Sequence, residues 1–193
     1  MIFCTFLKEV VIPSTVKKIG QFAFSGCTSL KKVLINDSVK SIEVFAFKGC
    51  TALESITIPF SVEWIGGYAF EDCTSLQQIE IHAAIESIEP YTFTKCSALK
   101  ELAIPSTVTS IGKYAFNCCS SISRIAIPSS VKAIGTYAFT ACTSLRQLVI
   151  PSSVTSVGYY MFVDATALRH LVIPKDLHIN LLGIDPRANV IRI

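Results

Sequence analysis

The sequence predicts a repeat solenoid, a single elongated domain of short parallel strands stacked coil upon coil. Three observations carry this. The text of residues 127–150, IPSSVKAIGTYAFTACTSLRQLVI, recurs at every twenty-third position in either direction without insertion or deletion. Each unit holds a Leu-x-x-Leu-x-Ile core such as Leu145, Leu148 and Ile150, and Pro and Gly punctuate each unit at fixed places. A unit this short cannot bury its apolar face alone and needs neighbours on both sides.

The strand comes first in the unit. Ile12, Ile35, Ile58, Ile81, Ile104, Ile127, Ile150 and Ile173 form one column, and Val10, Val33, Ile56, Ile79, Leu102, Ile125, Leu148 and Leu171 form another two positions earlier. That spacing of two is the period of a strand, so both columns point inward and the residues between them face solvent. Leu7, Leu30, Leu53, Leu76, Leu99, Ile122, Leu145 and Leu168 make a third inward column. Stacked in parallel, such strands form a ribbon with roughly 4.8 Å per coil.

Pro at 13, 59, 105, 128, 151 and 174 ends the strand, because it lacks an N–H and fixes φ. A Val-x-x-Ile segment follows, then Gly at 20, 66, 112, 135 and 158, a residue suited to a left-handed or closely approached backbone. Asn36 and His82 replace Pro in the same coils where Glu43 and Glu89 replace Gly, so these coils are expected to turn differently. Two aromatic columns come next. Phe22, Phe45, Tyr68, Tyr91, Tyr114, Tyr137 and Tyr160 suggest rings on an outer rim with wet hydroxyls. Phe at 24, 47, 70, 93, 116, 139 and 162 reads as a buried spine. The Tyr-Ala-Phe segment is expected to form a short 3₁₀ or α turn.

Cys27, Cys50, Cys73, Cys96, Cys119 and Cys142 close the unit, with Cys4 one coil earlier. No C-x-x-C or Cys/His cluster suggests zinc, and parallel thiols in one column do not face each other, so the ladder is expected to be buried and reduced. Cys118 lies outside the column, facing outward or in a turn. About eight coils are expected over residues 1–176, with 177–193 as a C-terminal capping segment in which Asp185-Pro186 turns the chain and residues 190–193 add a last strand.

Mean hydropathy is +0.53 and 51% of residues are apolar, as a continuous buried seam requires, yet strands and turns interrupt every apolar run well short of a membrane-spanning length. The opening MIFCTFLKEV lacks a basic n-region and is broken by Lys8 and Glu9, so it does not read as a secretory signal. Net charge is +3. Residues 1–96 hold 8 basic and 10 acidic side chains and residues 97–193 hold 9 and 4, too dilute for nucleic-acid binding. The three His at 82, 170 and 178 lie in no catalytic or metal motif, and Ser clusters in turns where hydroxyls serve the backbone. The chain is read as a non-enzyme without cofactor or metal. Asn36-Asp37-Ser38 fits a glycosylation sequon.

Function is therefore sought among outward strand positions. Arg124, Arg146, Gln147, Arg169 and His170 adjoin Val149 and Val172, which are apolar although they should be exposed. Apolar positions ringed by Arg, Gln and His have the composition of an interface, while β-propensity alone would also favour Val. These seven residues are the expected partner-binding site. At the other end, the strand from Leu7 to Ile12 is an edge, with Phe3, Phe6, Val10 and Val11 nearby; an uncovered edge templates pairing, and a homodimer through the N-terminal coil is expected.

The unit Leu-x-x-Leu-x-Ile-Pro-Ser-Ser-Val-x-x-Ile-Gly-x-Tyr-Ala-Phe-x-x-Cys resembles the 23-residue leucine-rich repeats of BspA-like surface antigens of bacteria and protozoa, over residues 1 to about 176. The resemblance implies a right-handed leucine-rich repeat superhelix with its β-ribbon on the concave side. It implies a non-catalytic protein-binding module acting in adhesion to host proteins or other cells, at the cell surface or outside the cell and without membrane insertion. An intracellular scaffold of the same fold is the alternative, for which the missing signal and reduced thiols count.

Overall fold

Each repeat makes one coil of a parallel β-solenoid in the computed structural model, which describes residues 4–177 and 182–193. Two strands arise per coil: β1 (Glu9–Val11) and β2 (Lys18–Ile19), β3 (Lys32–Leu34) and β4 (Ser41–Ile42), β5 (Ser55–Ile58) and β6 (Trp64–Ile65), β7 (Gln78–Ile81) and β8 (Ser87–Ile88). The series continues with β9 (Glu101–Ala103) and β10 (Ser110–Ile111), β11 (Arg124–Ala126) and β12 (Ala133–Ile134), β13 (Gln147–Val149) and β14 (Ser156–Val157), β15 (His170–Ile173) and finally β16 (Asn189–Arg192). Strand partners stand one repeat apart in number, as in Glu9↔Lys32, Ser55↔Gln78 and Gln147↔His170. The repeat period is thus the strand register itself.

The odd-numbered strands form the expected ribbon. Their central residues, Val33, Ile56, Ile79, Leu102, Ile125, Leu148 and Leu171, are buried, while the flanking ones are exposed, Val172 only in part. The two-residue strands form a second ribbon within the Val-x-x-Ile segment, hydrogen-bonded as β2-β4-β6 and β8-β10-β12-β14. Ile19, Ile42, Ile65, Ile88, Ile111 and Ile134 bury its inner face.

Except at Gly20, where nothing lies within 4 Å, the Gly column resolves to close approach rather than left-handed backbone. A Cβ on Gly112 would lie 2.5 Å from the Pro90 nitrogen, and one on Gly135 2.5 Å from that of Lys113, so no side chain fits between coils there. Left-handed conformation falls instead on the rim aromatics, Phe22 through Tyr160, with φ from 56 to 62°. The expected 3₁₀ or α turn is replaced accordingly: Ala23 N–H donates to Gly20 O, Ser25 to Phe22 O and Cys27 to Phe24 O. These are overlapping β-turns two positions apart, with positive φ at Phe22 and Gly26. Helix needs consecutive right-handed residues, and this alternation forbids it. Cys118 occupies the second left-handed column, below Gly26, Gly49, Asp72 and Lys95.

Bulky L-residues in this conformation cost about 1–2 kcal/mol each. Each is held by its neighbours. Rim rings stack from coil to coil with centroids 4.4 to 5.4 Å apart, and their N–H groups bond the next coil, Tyr91 to Lys113 O at 2.9 Å for example. Beneath them the Phe spine stacks at 5.3 to 6.0 Å and is buried from Phe47 to Phe162. All eight cysteines are free and six are buried. Buried thiols donate to carbonyls of the preceding coil, Cys73 to Phe47 O and Cys119 to Phe93 O. Burial pushes Cys50 and Cys142 up to about 12.

Two coils depart from the pattern, unequally. Val39 N–H still donates to Asn36 O as Val62 does to Pro59 O, but among the described residues no such bond closes the turn after His82, where Ala83 tucks inward instead. At the C-terminal end β16 pairs with β15 in parallel, His170↔Asn189 through Ile173↔Arg192, so the last coil is shorter than the repeat. Arg192 donates to the carbonyls of Lys175 and Leu177.

Candidate functional site

Strand alternation sends every second residue of the ribbon to solvent, and the column that holds Val149 and Val172 becomes an apolar stripe. Val149 pairs with Val172 and Val172 with Ile191, and Val149 is 54% exposed. Beside this stripe lies a groove of about 410 Å³ lined by Arg124, Ala126, Gln147, Val149, His170 and Val172, floored by Ile125 and Leu148. A second depression of about 730 Å³ adjoins it, lined by Ser121, Ser123, Thr143, Ser144, Arg146 and Ala167 and sharing Arg124, Gln147 and His170.

Six of the seven residues expected to contact a partner thus line these two depressions. Arg169 does not. Its guanidinium folds back to donate to the carbonyls of Thr166 and Leu168 at 2.9 and 3.0 Å. Among the described residues no carboxylate lies within 4.0 Å of Arg124 or Arg146, although Glu101 is the strand neighbour of Arg124. The groove therefore sets the unpaired Arg124 beside the exposed Val149, with the unpaired Arg146 in the adjoining depression. No group of His, Cys, Asp or Glu among the described residues is arranged to hold a metal.

The expected self-association residues are placed unevenly. Phe6 is 93% exposed and Val11 67%; Val10 is half-buried against the core, and Phe3 lies outside the described residues. Among the described strands β1 pairs with β3 alone.

Sequence reasoning missed two surface features. Ile191 extends the apolar stripe only because the short last coil brings β16 into register, which no column of the repeat shows. Phe60, 77% exposed, stacks on His82 with centroids 5.0 Å apart. Its signal was present in the columns: Phe60 stands where other coils have Ser14, Ser106, Ser129 and Ser152.

Stacked parallel ribbons with Leu, Val and Ile columns inside and a shallow polar-rimmed groove outside define a leucine-rich repeat protein. The family described as BspA type Leucine rich repeat region, in six copies, matches residues 2–89 and 65–181, and the chain belongs to it. Solved structures similar to it include a leucine-rich repeat protein from Eubacterium ventriosum, 29% identical with a TM-score of 0.80, covering 91% of this chain and 47% of that one. Another from Bacteroides ovatus is 30% identical with a TM-score of 0.74, over 98% of this chain and 52% of the other. A leucine rich cell surface protein from Faecalibacterium prausnitzii is 27% identical with a TM-score of 0.60, over 98% and 60%. The chain spans about half the length of the first two. No curated protein matches it. No helix among the described residues is long and apolar enough to cross a membrane.

Proposed function

We propose that this chain is a protein-binding module of a cell-surface antigen that mediates adhesion, and that its partner docks on the ribbon over β11, β13 and β15. The observation that carries the reading is the groove at Val149, where an exposed apolar stripe lies beside Arg124, with Arg146 in the adjoining depression, and no carboxylate lies within 4.0 Å of either among the described residues. A handful of buried residues, arginine and aromatics foremost, hold most of the energy of protein interfaces, and truncating one costs about 2 kcal/mol or more, while apolar neighbours such as Val149 exclude water around them. Similarity to a leucine rich cell surface protein supports the location.

The test compares the chain with its Val149→Asp, Arg146→Ala variant in pull-downs from surface-protein extracts of the source organism and of host cells. The reading requires a specific partner retained by the first and lost by the second, with circular dichroism unchanged. A partner retained equally by both moves the site elsewhere, and the aromatic rim is then the next surface to vary. Antibody labelling of intact cells checks the location; protein found only after lysis favours the scaffold reading.

A further inference from the structure

The groove at Val149 is one end of a longer trough. A depression of about 510 Å³ over β7 and β9 shares Arg124 and Ala126 with it. A third, of about 480 Å³ at β3 and β5, shares His82 with the second. The chemistry changes in order along this line. At the β5 end Phe60 stacks on His82, with Leu34 exposed beside them. In the middle stand the exposed carboxylates Glu80 and Glu101, and no Lys or Arg among the described residues comes within 4.0 Å of either; Glu80 accepts from the Gln78 amide at 3.5 Å and has the His82 imidazole at 3.7 Å. At the far end Arg124 borders Val149.

Each zone states what it would accept. An exposed aromatic stacked on imidazole beside a Leu takes an apolar side chain. Two carboxylates without a Lys or Arg partner take a cation, and an unpaired arginine beside a valine takes an acidic group flanking an apolar one. From β5 to β15 is five strand steps, about 24 Å at ~4.8 Å each, which about seven residues of extended chain would span at ~3.3 Å per residue.

We propose that the ribbon recognises one extended segment of a partner protein laid across the strands, apolar over Phe60 and Leu34, basic over Glu80 and Glu101, and acidic with an apolar residue over Arg124 and Val149. This deepens the proposed function and rests on it, since it names the chemistry that the Val149 groove and its continuation select.

The probe is the amidated peptide Leu-Phe-Gly-Lys-Lys-Gly-Asp-Leu-Asp, with the same residues in reverse order to cover both directions. Controls carry Glu-Glu at the centre, and binding is followed by fluorescence anisotropy. In one direction the Lys-centred peptide binds about fivefold or more tighter than its Glu-centred control, and Phe60→Ala weakens it by a similar factor. Glu80→Lys with Glu101→Lys inverts the preference. Both glutamates and Phe60 are exposed, so these variants keep the fold, which circular dichroism verifies. Absence of preference in both directions, absence of any peptide binding, or a preference that the charge swap does not invert overturns the proposal. The two readings fail separately: loss of partner capture by the Val149→Asp variant without charge-ordered peptide binding leaves the docking site standing and removes only this trough.

Discussion

Replacing Tyr91 by Gly and by Ala isolates the backbone strain stored in the rim. Tyr91 has φ +61°, and its ring stacks between Tyr68 at 4.4 Å and Tyr114 at 4.9 Å. Both variants lose these two stacks, worth about 0.5–1.5 kcal/mol apiece, so both are less stable than the parent. They differ in what remains. Ala keeps the left-handed strain of about 1–2 kcal/mol, which Gly is spared. Gly in turn enlarges the entropy of the unfolded chain, a loss of about 0.4–1 kcal/mol. Tyr91→Gly is therefore expected to exceed Tyr91→Ala by about 0.8 kcal/mol, the reverse of the usual order inside an element. Ala115, buried and absent from the positive-φ residues, is the control, since Ala115→Gly should destabilise. Urea denaturation with matched slopes measures all three. A Tyr91→Ala variant as stable as Tyr91→Gly would refute the left-handed rim.

Gly112→Ala should destabilise strongly, because its Cβ meets the Pro90 backbone at 2.5 Å, whereas Gly20→Ala, with nothing within 4 Å, should be neutral; thermal melts compare them. In thiol titration Cys4 and Cys118 should react quickly and the six buried cysteines only on unfolding; fast reaction of several ladder thiols would contradict the packing. Folded-state values of Cys50 and Cys142 near 12 exceed those of the unfolded chain, so the stability they contribute is present below the ordinary thiol range and is lost as pH rises towards about 12. Stability measured between pH 8 and 11 should fall, and more steeply than in a Cys50→Ala, Cys142→Ala variant. We further propose that β1, which among the described strands pairs with β3 alone, pairs two chains, so sedimentation should show a dimer at micromolar concentration that Phe6→Asp or Val10→Lys dissociates; a monomer at every concentration rejects it.

Much of the fold was legible in the sequence, because a column that recurs once per coil must occupy the same place in each. The Leu, Ile, Phe and Cys columns announced their burial in this way, and Val149 its exposure. Periodicity says where a residue recurs but not which backbone conformation it has there. Close coil-to-coil contact at Gly112 and left-handed φ at Tyr91 are both decided by how one coil rests on the next, and a Tyr column carries no local sign that its backbone is strained. The same limit applies to the site. Arg146 and Arg169 stand in one column, yet Arg146 lines a depression while Arg169 turns back on its own loop carbonyls. Ile191 joins the apolar stripe because a shortened final coil breaks the period. Tertiary packing decides such things, since they depend on distances between coils and on where side chains find hydrogen bonds, neither of which a column of identical letters records.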